Sequence, residues 1–254
     1  MSNAASPRER FHAASRLARV RALKLARILV NRDYRRGLRQ GVAASVEHAE
    51  IPFSGDIATV IDLGASRGQF ALFATGRFPD ARVISFEPQP GPLAELQNLL
   101  GDRVETRPVA VGAEAGRTTM NISQSDDSSS LLEIGAGQRR VYPGTEKVDT
   151  LEVEVTTLDE ALDLPPARPC LLKIDVQGLE LDVLRGATRT LAQVDEALIE
   201  CSFIELYEGQ AMADQVIGLM LESGFRLAGV YGAARDAAGQ MVQADFFFRR
   251  AGER

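Results

Sequence analysis

The 254-residue chain is long enough for one full α/β domain with a modest extension, and 45% of its residues are hydrophobic, which allows a sizeable core. It contains no apolar run of about 18 residues or more, so the sequence predicts no membrane-spanning helix. The formal net charge of −6 is unevenly distributed, since residues 1–40 carry +9 and the remainder −15. An acidic body argues against broad nucleic-acid binding by the main domain.

A basic arm occupies the start of the chain, and we predict that residues 1–50 form a helical extension of a single domain at residues 51–254. Eleven basic residues among the first 40 are opposed only by Glu9 and Asp33. A solvated helix packed on the domain, or on a second copy in a homodimer, is our first interpretation. Peripheral contact with an anionic membrane surface or an acidic protein, and an Arg-rich transit peptide, are the alternatives.

The two cysteines, Cys170 and Cys201, both lie in apolar runs. Two cysteines cannot form the disulfide framework of a small secreted domain, and no cluster of Cys and His indicates a zinc site. We therefore predict two buried thiols in a reducing compartment, which indicates a cytoplasmic protein.

Short apolar runs alternate with helical stretches from about residue 57 onwards. This alternation is typical of a parallel sheet with crossover helices. The predicted strands are, in chain order, Thr59–Leu63, Arg82–Phe86, Val104–Val111, Cys170–Asp175 and Glu196–Phe203. The predicted helices are Gln69–Phe78, residues 90–100, a helix that begins near Gly178, and residues 211–223.

Two further regions depart from this alternation. Residues 112–156 contain β-like stretches at Thr118–Ile122 and Leu151–Val155 around a polar segment, and we predict a small β insertion with a mobile loop there. At the C-terminus, Arg226–Tyr231 and Asp245–Arg249 are predicted to close the sheet as an antiparallel hairpin. The predicted fold class is therefore α/β, with a mostly parallel, seven-stranded sheet.

The first motif is the loop after the first strand, Asp62-Leu63-Gly64-Ala65-Ser66-Arg67-Gly68. Ligands of open α/β sheets bind at the carboxyl ends of the strands, and Gly64 and Gly68 have no Cβ to obstruct a ligand there. The loop lacks the middle glycine of a dinucleotide loop and the Gly-Lys-Ser/Thr of a P-loop, which disfavours a pyrophosphate. S-adenosylmethionine (SAM) has no phosphate, and Asp62 suits its sulfonium and ammonium charges. An ordinary tight βα turn is the alternative.

The second motif is Glu87-Pro88, which follows the second strand 25 residues after Asp62. A carboxylate suits the vicinal hydroxyls of a ribose because its two oxygens accept hydrogen bonds together. At this spacing from the glycine loop, the motif favours an adenosine-type ligand over a phosphosugar.

The third motif follows the fourth strand and reads Lys173-Ile174-Asp175-Val176-Gln177-Gly178-Leu179-Glu180. It lies across the cleft from the first loop, where a methyl acceptor should bind. Methylation of a hydroxyl requires alignment and removal of a proton, and Asp175 is our candidate base or acceptor-orienting group, with Glu180 and Glu200 in support. A structural ion pair for Lys173 and a helix N-terminal charge for Glu180 are the alternatives.

Both histidines, His12 and His48, precede the predicted domain. A histidine base would therefore require the N-terminal segment to fold over the cleft. Carboxylates and Lys173 are favoured instead.

The ordered set of these motifs resembles the FkbM family of SAM-dependent methyltransferases from about residue 57 to residue 250. The matching segments are Val60–Phe70, Phe86–Pro88, Val109–Gly112, Ser129–Leu131, Thr157–Asp159 and Leu172–Glu180. The resemblance implies a Rossmann-like class I methyltransferase fold, SAM as cofactor and O-methylation of a hydroxyl on a small molecule, natural product or glycan. An NAD(P)-dependent oxidoreductase and a non-catalytic SAM-binding module are the alternatives.

The resemblance also implies roles for individual residues. The loop from Asp62 to Gly68 would hold the methionine part of SAM and Glu87 its ribose, while Lys173, Asp175 and Glu180 would line the reaction cleft. The full cofactor-binding set would be Asp62, Gly64, Ala65, Ser66, Arg67, Gly68, Phe70, Glu87, Pro88, Ala110, Val111, Ser129 and Asp175, with Ala110 and Val111 near the adenine.

One position departs from the family pattern. The family usually has an acid where this chain has Gln177. The departure weakens any proposal that uses a carboxylate there as a base or as a metal ligand. Mg²⁺ held by carboxylates such as Asp175 is therefore considered but not favoured, and we predict no resident metal.

Overall fold

A computed structural model describes residues 28–163 and 165–252. The strands are β1 (Thr59–Leu63), β2 (Arg82–Phe86), β3 (Glu105–Arg107), β4 (Ala110–Val111), β5 (Gly116–Ser123), β6 (Lys147–Thr156), β7 (Cys170–Ile174), β8 (Glu196–Ser202), β9 (Phe225–Arg235) and β10 (Met241–Arg250). The α-helices are α1 (Arg32–Arg39), α2 (Gln69–Arg77), α3 (Pro90–Leu100), α4 (Ala136–Val141), α5 (Leu158–Ala161), α6 (Glu180–Arg185), α7 (Thr188–Leu191) and α8 (Ala213–Glu222). Short 3₁₀ helices occur at Val46–Glu50, Gly101–Arg103 and Asp126–Ser128.

The large sheet has seven strands in the order β3-β2-β1-β7-β8-β10-β9. Its strands pair in parallel except at β10, which runs antiparallel to both neighbours. Strands β1 and β7 are buried along their whole length, as expected of continuous apolar runs covered by helices on both faces. The strand order reverses between β1 and β7, and the carboxyl ends of such a pair frame a ligand crevice. The predicted Rossmann-like class I methyltransferase fold is confirmed.

The predicted third strand, Val104–Val111, is wrong because the chain changes sheets within it. Glu105–Arg107 pairs with β2 in the large sheet, whereas Ala110–Val111 pairs with β6 in the small one. Pro108 lies between the two pieces and has no backbone N–H to donate to a strand ladder. The small sheet, ordered β4-β6-β5, is the predicted β insertion.

The C-terminal hairpin is longer than predicted. Its strands extend over Phe225–Arg235 and Met241–Arg250. The turn between them is stabilised by Asp236, whose Oδ1 accepts hydrogen bonds from the backbone N–H groups of Ala238 and Gln240. Such a side-chain cap satisfies the backbone donors of a tight turn.

Alternate side chains of the central strands enter two cores, one on each face of the sheet. Leu63 packs with α6, α7 and α8, and Leu171 packs with α2, α3 and the segment before β1. That segment buries Tyr34 and Val46 in the second core. Residues 28–53 therefore share a core with the sheet, while the domain division at residue 50 stays a prediction.

The remaining sequence predictions concern the cysteines and the arm. Cys170 and Cys201 are buried, as predicted, and burial raises the pKa of the Cys170 thiol to about 12. No helix of the described residues is both long and apolar enough to cross a membrane. Most of the basic arm, including His12, lies outside the described residues, and its partners stay predictions.

Candidate active site

The carboxyl ends of β1, β2 and β7 open onto a cavity of about 290 Å³, which we call the first cavity. The loops after these strands, the strand β4 and the polar segment around Asp126 form its walls. Ten of the predicted cofactor residues line it: Gly64, Ala65, Ser66, Phe70, Glu87, Pro88, Ala110, Val111, Ser129 and Asp175.

Gly64 lets the loops after β1 and β7 touch. Its φ is +71°, and a Cβ at this position would lie only 1.8 Å from the carbonyl oxygen of Asp175. No side chain fits in that space, so the two loops that frame the first cavity approach because residue 64 is glycine. Gly64 therefore allows the close approach of the Asp175 backbone and also lines the cavity.

Three predicted cofactor residues, Asp62, Arg67 and Gly68, do not line the first cavity. Gly68 begins α2 with a φ of +91°, and a Cβ there would lie 2.9 Å from Leu96, so helix packing requires it. The Arg67 guanidinium is 2.5 Å from the Asp126 carboxylate, which ties the polar segment to the β1 loop. Arg67 and Gly68 therefore shape the walls of the first cavity without lining it, which corrects their predicted contact with the cofactor.

The Glu87 carboxylate is held in one orientation at the end of β2. Its Oε2 accepts the backbone N–H of Ser66 at 2.8 Å, and its Oε1 accepts that of Gln89 at 2.8 Å. The residue is only 3% exposed, and burial raises the pKa of its carboxyl group although the two backbone donors oppose the shift. Each oxygen keeps a lone pair for a further donor.

Three polar atoms of residues that line the first cavity have no hydrogen-bond partner among the described residues. They are Ser66 Oγ, Gln69 Oε1 and His48 Nδ1, and all three are buried. Buried polar groups are nearly always hydrogen-bonded, so such orphans indicate a missing ligand or water. The atoms suit a ligand that carries N–H donors, such as the ammonium of an amino acid.

Asp62 holds Lys173 rather than facing a cofactor. Its carboxylate is fully buried, and its Oδ1 lies 3.3 Å from Lys173 Nζ. The same ammonium lies 3.1 Å from the Gly64 carbonyl oxygen and 3.6 Å from Asp175 Oδ2. Burial alone would lower the pKa of Lys173, but Asp62 and Asp175 outweigh it and raise the pKa, so the amine stays charged. The ion-pair alternative for Lys173 is therefore confirmed.

A second cavity of about 310 Å³ lies on the other side of Lys173. It is lined by Ser45, Glu47, His48, Lys173, Ile174, Asp175, Leu198, Glu200, Gly232 and Asp245. Five of these residues also line the first cavity, namely Ser45, Glu47, His48, Lys173 and Asp175. The two cavities therefore adjoin at the predicted reaction cleft.

Asp175 lies at this junction, whereas Glu200 lines only the second cavity. Gln177 Nε2 lies 2.6 Å from Asp175 Oδ1 and 3.4 Å from Glu200 Oε2. Glu200 is half-buried, and desolvation followed by repulsion from Asp175 and Asp245 raises the pKa of its carboxyl group well above the ordinary value. The side chain of Asp175 keeps 34% exposure, so its carboxylate is open to an acceptor.

His48 is a site residue that sequence reasoning placed outside the cleft. It lies in the 3₁₀ helix Val46–Glu50, where Ser45 N donates to Gln69 O at 3.1 Å and ties the segment to α2. His48 Nε2 lies 3.4 Å from Asp245 Oδ2, and its ring packs edge-on against Phe70 at 5.3 Å. The N-terminal segment does fold over the cleft, and no local sequence signal marks the pairing with a strand so distant in the chain.

Glu180 does not line either cavity, which corrects its predicted place in the cleft. Its Oε1 accepts the backbone N–H groups of Val176 at 3.2 Å and Gly178 at 3.1 Å. Burial, aided by the charge of Asp175, raises the pKa of its carboxyl group to about 7 against the opposing backbone donors. Glu180 therefore shapes the loop that carries Asp175 and Gln177.

Within the described residues no group of three or more His, Cys, Asp or Glu side chains is arranged to hold a metal ion. Mg²⁺ therefore has no ready-made site in this part of the chain.

Comparison with known proteins finds several methyltransferases that are similar to this chain. The 2-O-methyltransferase NoeI of Sinorhizobium fredii (strain NBRC 101917 / NGR234) is 26% identical over 207 residues, which cover 74% of this chain and 82% of the relative. The 31-O-demethyl-FK506 methyltransferase FkbM of Streptomyces tacrolimicus is 29% identical over 195 residues, which cover 67% and 73%. The hexuronic acid methyltransferase AglP of Haloferax volcanii is 28% identical over 143 residues, which cover 55% and 54%.

The family match covers most of the residues that line the first cavity. Residues 62–227 match the Methyltransferase FkbM domain, and this range is more than half of the chain. It includes the β1 loop, Glu87, the small sheet and the loop after β7. The chain therefore belongs to the FkbM methyltransferase family.

Proposed function

We propose that this protein transfers the methyl group of SAM to a hydroxyl oxygen of a small molecule or glycan. The observation that carries the proposal is the junction of two cavities at Lys173 and Asp175. One cavity carries the features that suit an adenosyl ligand, and the other is lined by polar groups. A donor in the first is therefore next to an acceptor in the second.

The first cavity fits SAM in three respects. Glu87 keeps a lone pair on each oxygen for the ribose hydroxyls. Ala110 and Val111 offer an apolar wall for the adenine. Ser66 Oγ and Gln69 Oε1, which have no protein partner, suit the amino-acid end of the cofactor. None of these features requires a phosphate.

When bound, SAM supplies a methyl group on a positively charged sulfur, which is an electrophile with its own driving force. The protein has to align the acceptor, exclude water and remove a proton. Asp175 borders both cavities and is held by Lys173 and Gln177, so its carboxylate is fixed at the junction. With SAM bound, Asp175 would take the proton of the acceptor hydroxyl while that oxygen forms its bond to the methyl carbon and the methyl–sulfur bond breaks, which would leave S-adenosylhomocysteine. Lys173 offsets negative charge on that oxygen.

The second cavity favours a neutral, hydroxyl-rich acceptor. Four acidic side chains line it, Glu47, Asp175, Glu200 and Asp245, and carboxylates accept hydrogen bonds from hydroxyls. The same groups repel an anion at short range. The names of two relatives, the 2-O-methyltransferase NoeI and the 31-O-demethyl-FK506 methyltransferase FkbM, refer to methylation at oxygen, which supports a hydroxyl acceptor. AglP is named for hexuronic acid, and we expect this chain to disfavour such an anionic acceptor.

Cofactor choice is tested by isothermal titration of the purified chain with SAM, S-adenosylhomocysteine and NADH. We expect both sulfur compounds to bind at one site per chain and NADH not to bind. Binding of NADH without SAM would contradict the proposal and favour an oxidoreductase.

The reaction is tested with SAM labelled in its methyl group and a panel of neutral polyols, sugars, macrolide alcohols, uronic acids and amines. We expect label on neutral hydroxyl acceptors, and Asp175→Asn should lower kcat about 100- to 10,000-fold while SAM affinity is retained. Asp149→Asn is the matched control, because Asp149 is exposed on β6 and lines neither cavity. SAM binding without transfer to any hydroxyl would favour a non-catalytic SAM-binding module.

A further inference from the structure

Gln177 contacts four groups around the junction of the cavities, three through its side chain and one through its backbone oxygen. Its Nε2 lies 2.6 Å from Asp175 Oδ1 and 3.4 Å from Glu200 Oε2. The Tyr207 hydroxyl lies 2.7 Å from its Oε1, and the Ser130 hydroxyl lies 2.7 Å from its backbone oxygen. Both the amide and the backbone of this residue are therefore fixed.

The orientation of the amide follows from its neighbours. A carboxylate accepts hydrogen bonds, so the NH₂ group must face Asp175 and Glu200. The Tyr207 hydroxyl is then left facing the amide oxygen and donates to it. This contact is shorter than the 3.1 Å from the same hydroxyl to the Ser128 carbonyl, so the single hydroxyl hydrogen serves Gln177.

The backbone at Gln177 is in a conformation that favours glycine. Its φ is +56°, and among the described non-glycine residues only Ser66 shares a positive φ. A side chain in this region strains the backbone, whereas glycine adopts it freely. The strained residue retains a side chain that contacts Asp175, which indicates that the amide does something a glycine cannot.

We propose that Gln177 is a positioning residue that aims the Asp175 carboxylate at the acceptor, with Tyr207 fixing the amide. The inference rests on the proposed function. Lys173 holds one Asp175 oxygen and Gln177 the other, so the carboxylate cannot rotate. Because the amide is neutral, it does so without adding charge beside Glu200.

A carboxylate at position 177 would change the chemistry of the site. It would place a third acid beside Asp175 and Glu200, at the 2.6 Å and 3.4 Å contacts that the amide nitrogen now makes. Three converging carboxylates repel one another unless a cation binds between them, and Mg²⁺ and Mn²⁺ favour oxygen ligands. The amide therefore holds the carboxylates together without a metal.

The first experiment compares Gln177→Gly with the wild type in thermal unfolding, SAM titration and methyl transfer to a hydroxyl acceptor from the panel above. We expect an unfolding temperature at or above that of the wild type, because glycine relieves the backbone strain, and unchanged SAM affinity. We expect kcat to fall roughly 10- to 100-fold as Asp175 loses its orientation. Gln97→Ala, which removes an exposed amide bonded only to Thr106, should leave all three values near those of the wild type.

Tyr207→Phe tests the link through the amide. It should lower kcat less than Gln177→Gly, and the double variant should lose no more than Gln177→Gly alone, because Tyr207 acts through Gln177. A purely structural role would instead lower the unfolding temperature of Gln177→Gly together with its activity. An unchanged kcat in that variant, or additive losses in the double variant, would overturn the proposal.

A second experiment does not depend on finding the acceptor. MnCl₂ is titrated calorimetrically into the wild type and Gln177→Glu, with Gln97→Glu as the control. We expect one site in Gln177→Glu and none in the control or the wild type. No binding to Gln177→Glu would show that the side chain at 177 does not meet both carboxylates, which also overturns the proposal. If the wild type transfers no methyl group, the proposed function fails while this titration still decides the geometry at Gln177.

Discussion

The ammonium of Lys173 lies 3.3 Å from the carboxylate of Asp62, and the two side chains are 8% and 0% exposed. The residues are register partners on the adjacent parallel strands β1 and β7. Lys173 lines both cavities whereas Asp62 lines neither, and the geometry of the pair follows from strand pairing. Asp175 is the second carboxylate on the same ammonium, at 3.6 Å.

Breaking this pair should destabilise the fold. Asp62→Asn leaves the Lys173 charge buried with weaker compensation, and we expect a loss of about 3–5 kcal/mol in the free energy of unfolding. Replacing both residues, as in Asp62→Leu with Lys173→Met, should cost much less than the sum of the single changes. Urea denaturation of Asp62→Leu, Lys173→Met and the double variant measures the three losses in the free energy of unfolding. Additive losses would show that the two charges do not interact.

Glu87→Ala should weaken SAM binding by about 1–3 kcal/mol, because the ribose would lose charged hydrogen bonds. Isothermal titration measures the change, and Glu95→Ala, an exposed acid on α3, serves as the control. Because the Ser66 and Gln89 N–H groups also lose their acceptor, thermal unfolding of the variant should be measured in parallel. A stable variant with unchanged SAM affinity would place the ribose elsewhere.

Glu180 should make stability fall as pH rises from about 5 to 8. Its folded-state pKa of about 7 lies above the ordinary value of 4.5, so between these values the native state binds more protons than the unfolded state. The full loss is of the order of 3 kcal/mol. Glu180→Gln should remove this part of the slope, since its amide oxygen can still accept both backbone N–H groups. Urea denaturation across this pH range measures the free energy of unfolding of the wild type and of Glu180→Gln. The same pH dependence in both proteins would refute the raised pKa of Glu180.

The sequence predicts β1 and β2 to the residue because short, continuous apolar runs end at turn-forming residues. It fails between Val104 and Val111, where one segment of mixed polarity supplies strands to two sheets and only Pro108 marks the break. The motif glycines and Glu87 were placed correctly at the strand ends. Asp62 was misread because a strand-end acid faces either a ligand or a neighbouring strand, and only the pairing of β1 with β7 decides between them.

Long-range pairs in the site could not be predicted. His48 meets Asp245, and Gln177 meets Tyr207, only after the chain has folded. Neither pair leaves a periodic or spacing signal, because its two members lie far apart in the chain. The resemblance to the family did single out position 177, but the sequence does not show that its amide bridges two carboxylates.

His48 should affect the acceptor more than the cofactor. Its Nδ1 is buried without a partner, so the ring proton belongs on Nε2, which faces Asp245 and is then not free to accept a proton. His48→Phe keeps a ring against Phe70 but frees the Asp245 carboxylate. We expect a several-fold higher acceptor KM with little change in kcat or SAM affinity. Steady-state kinetics of His48→Phe and of the Asp149→Asn control measure both constants. A large fall in kcat of His48→Phe, with acceptor KM unchanged, would contradict this and indicate that the imidazole is the base.

The most direct test of the account is a crystal structure of the protein with saturating S-adenosylhomocysteine. We predict that the nucleoside occupies the first cavity, with both ribose hydroxyls within hydrogen-bond distance of Glu87 and the amino-acid end near Ser66 and Gln69. Density for the compound at another site, or a first cavity that holds only water at saturation, would contradict the account.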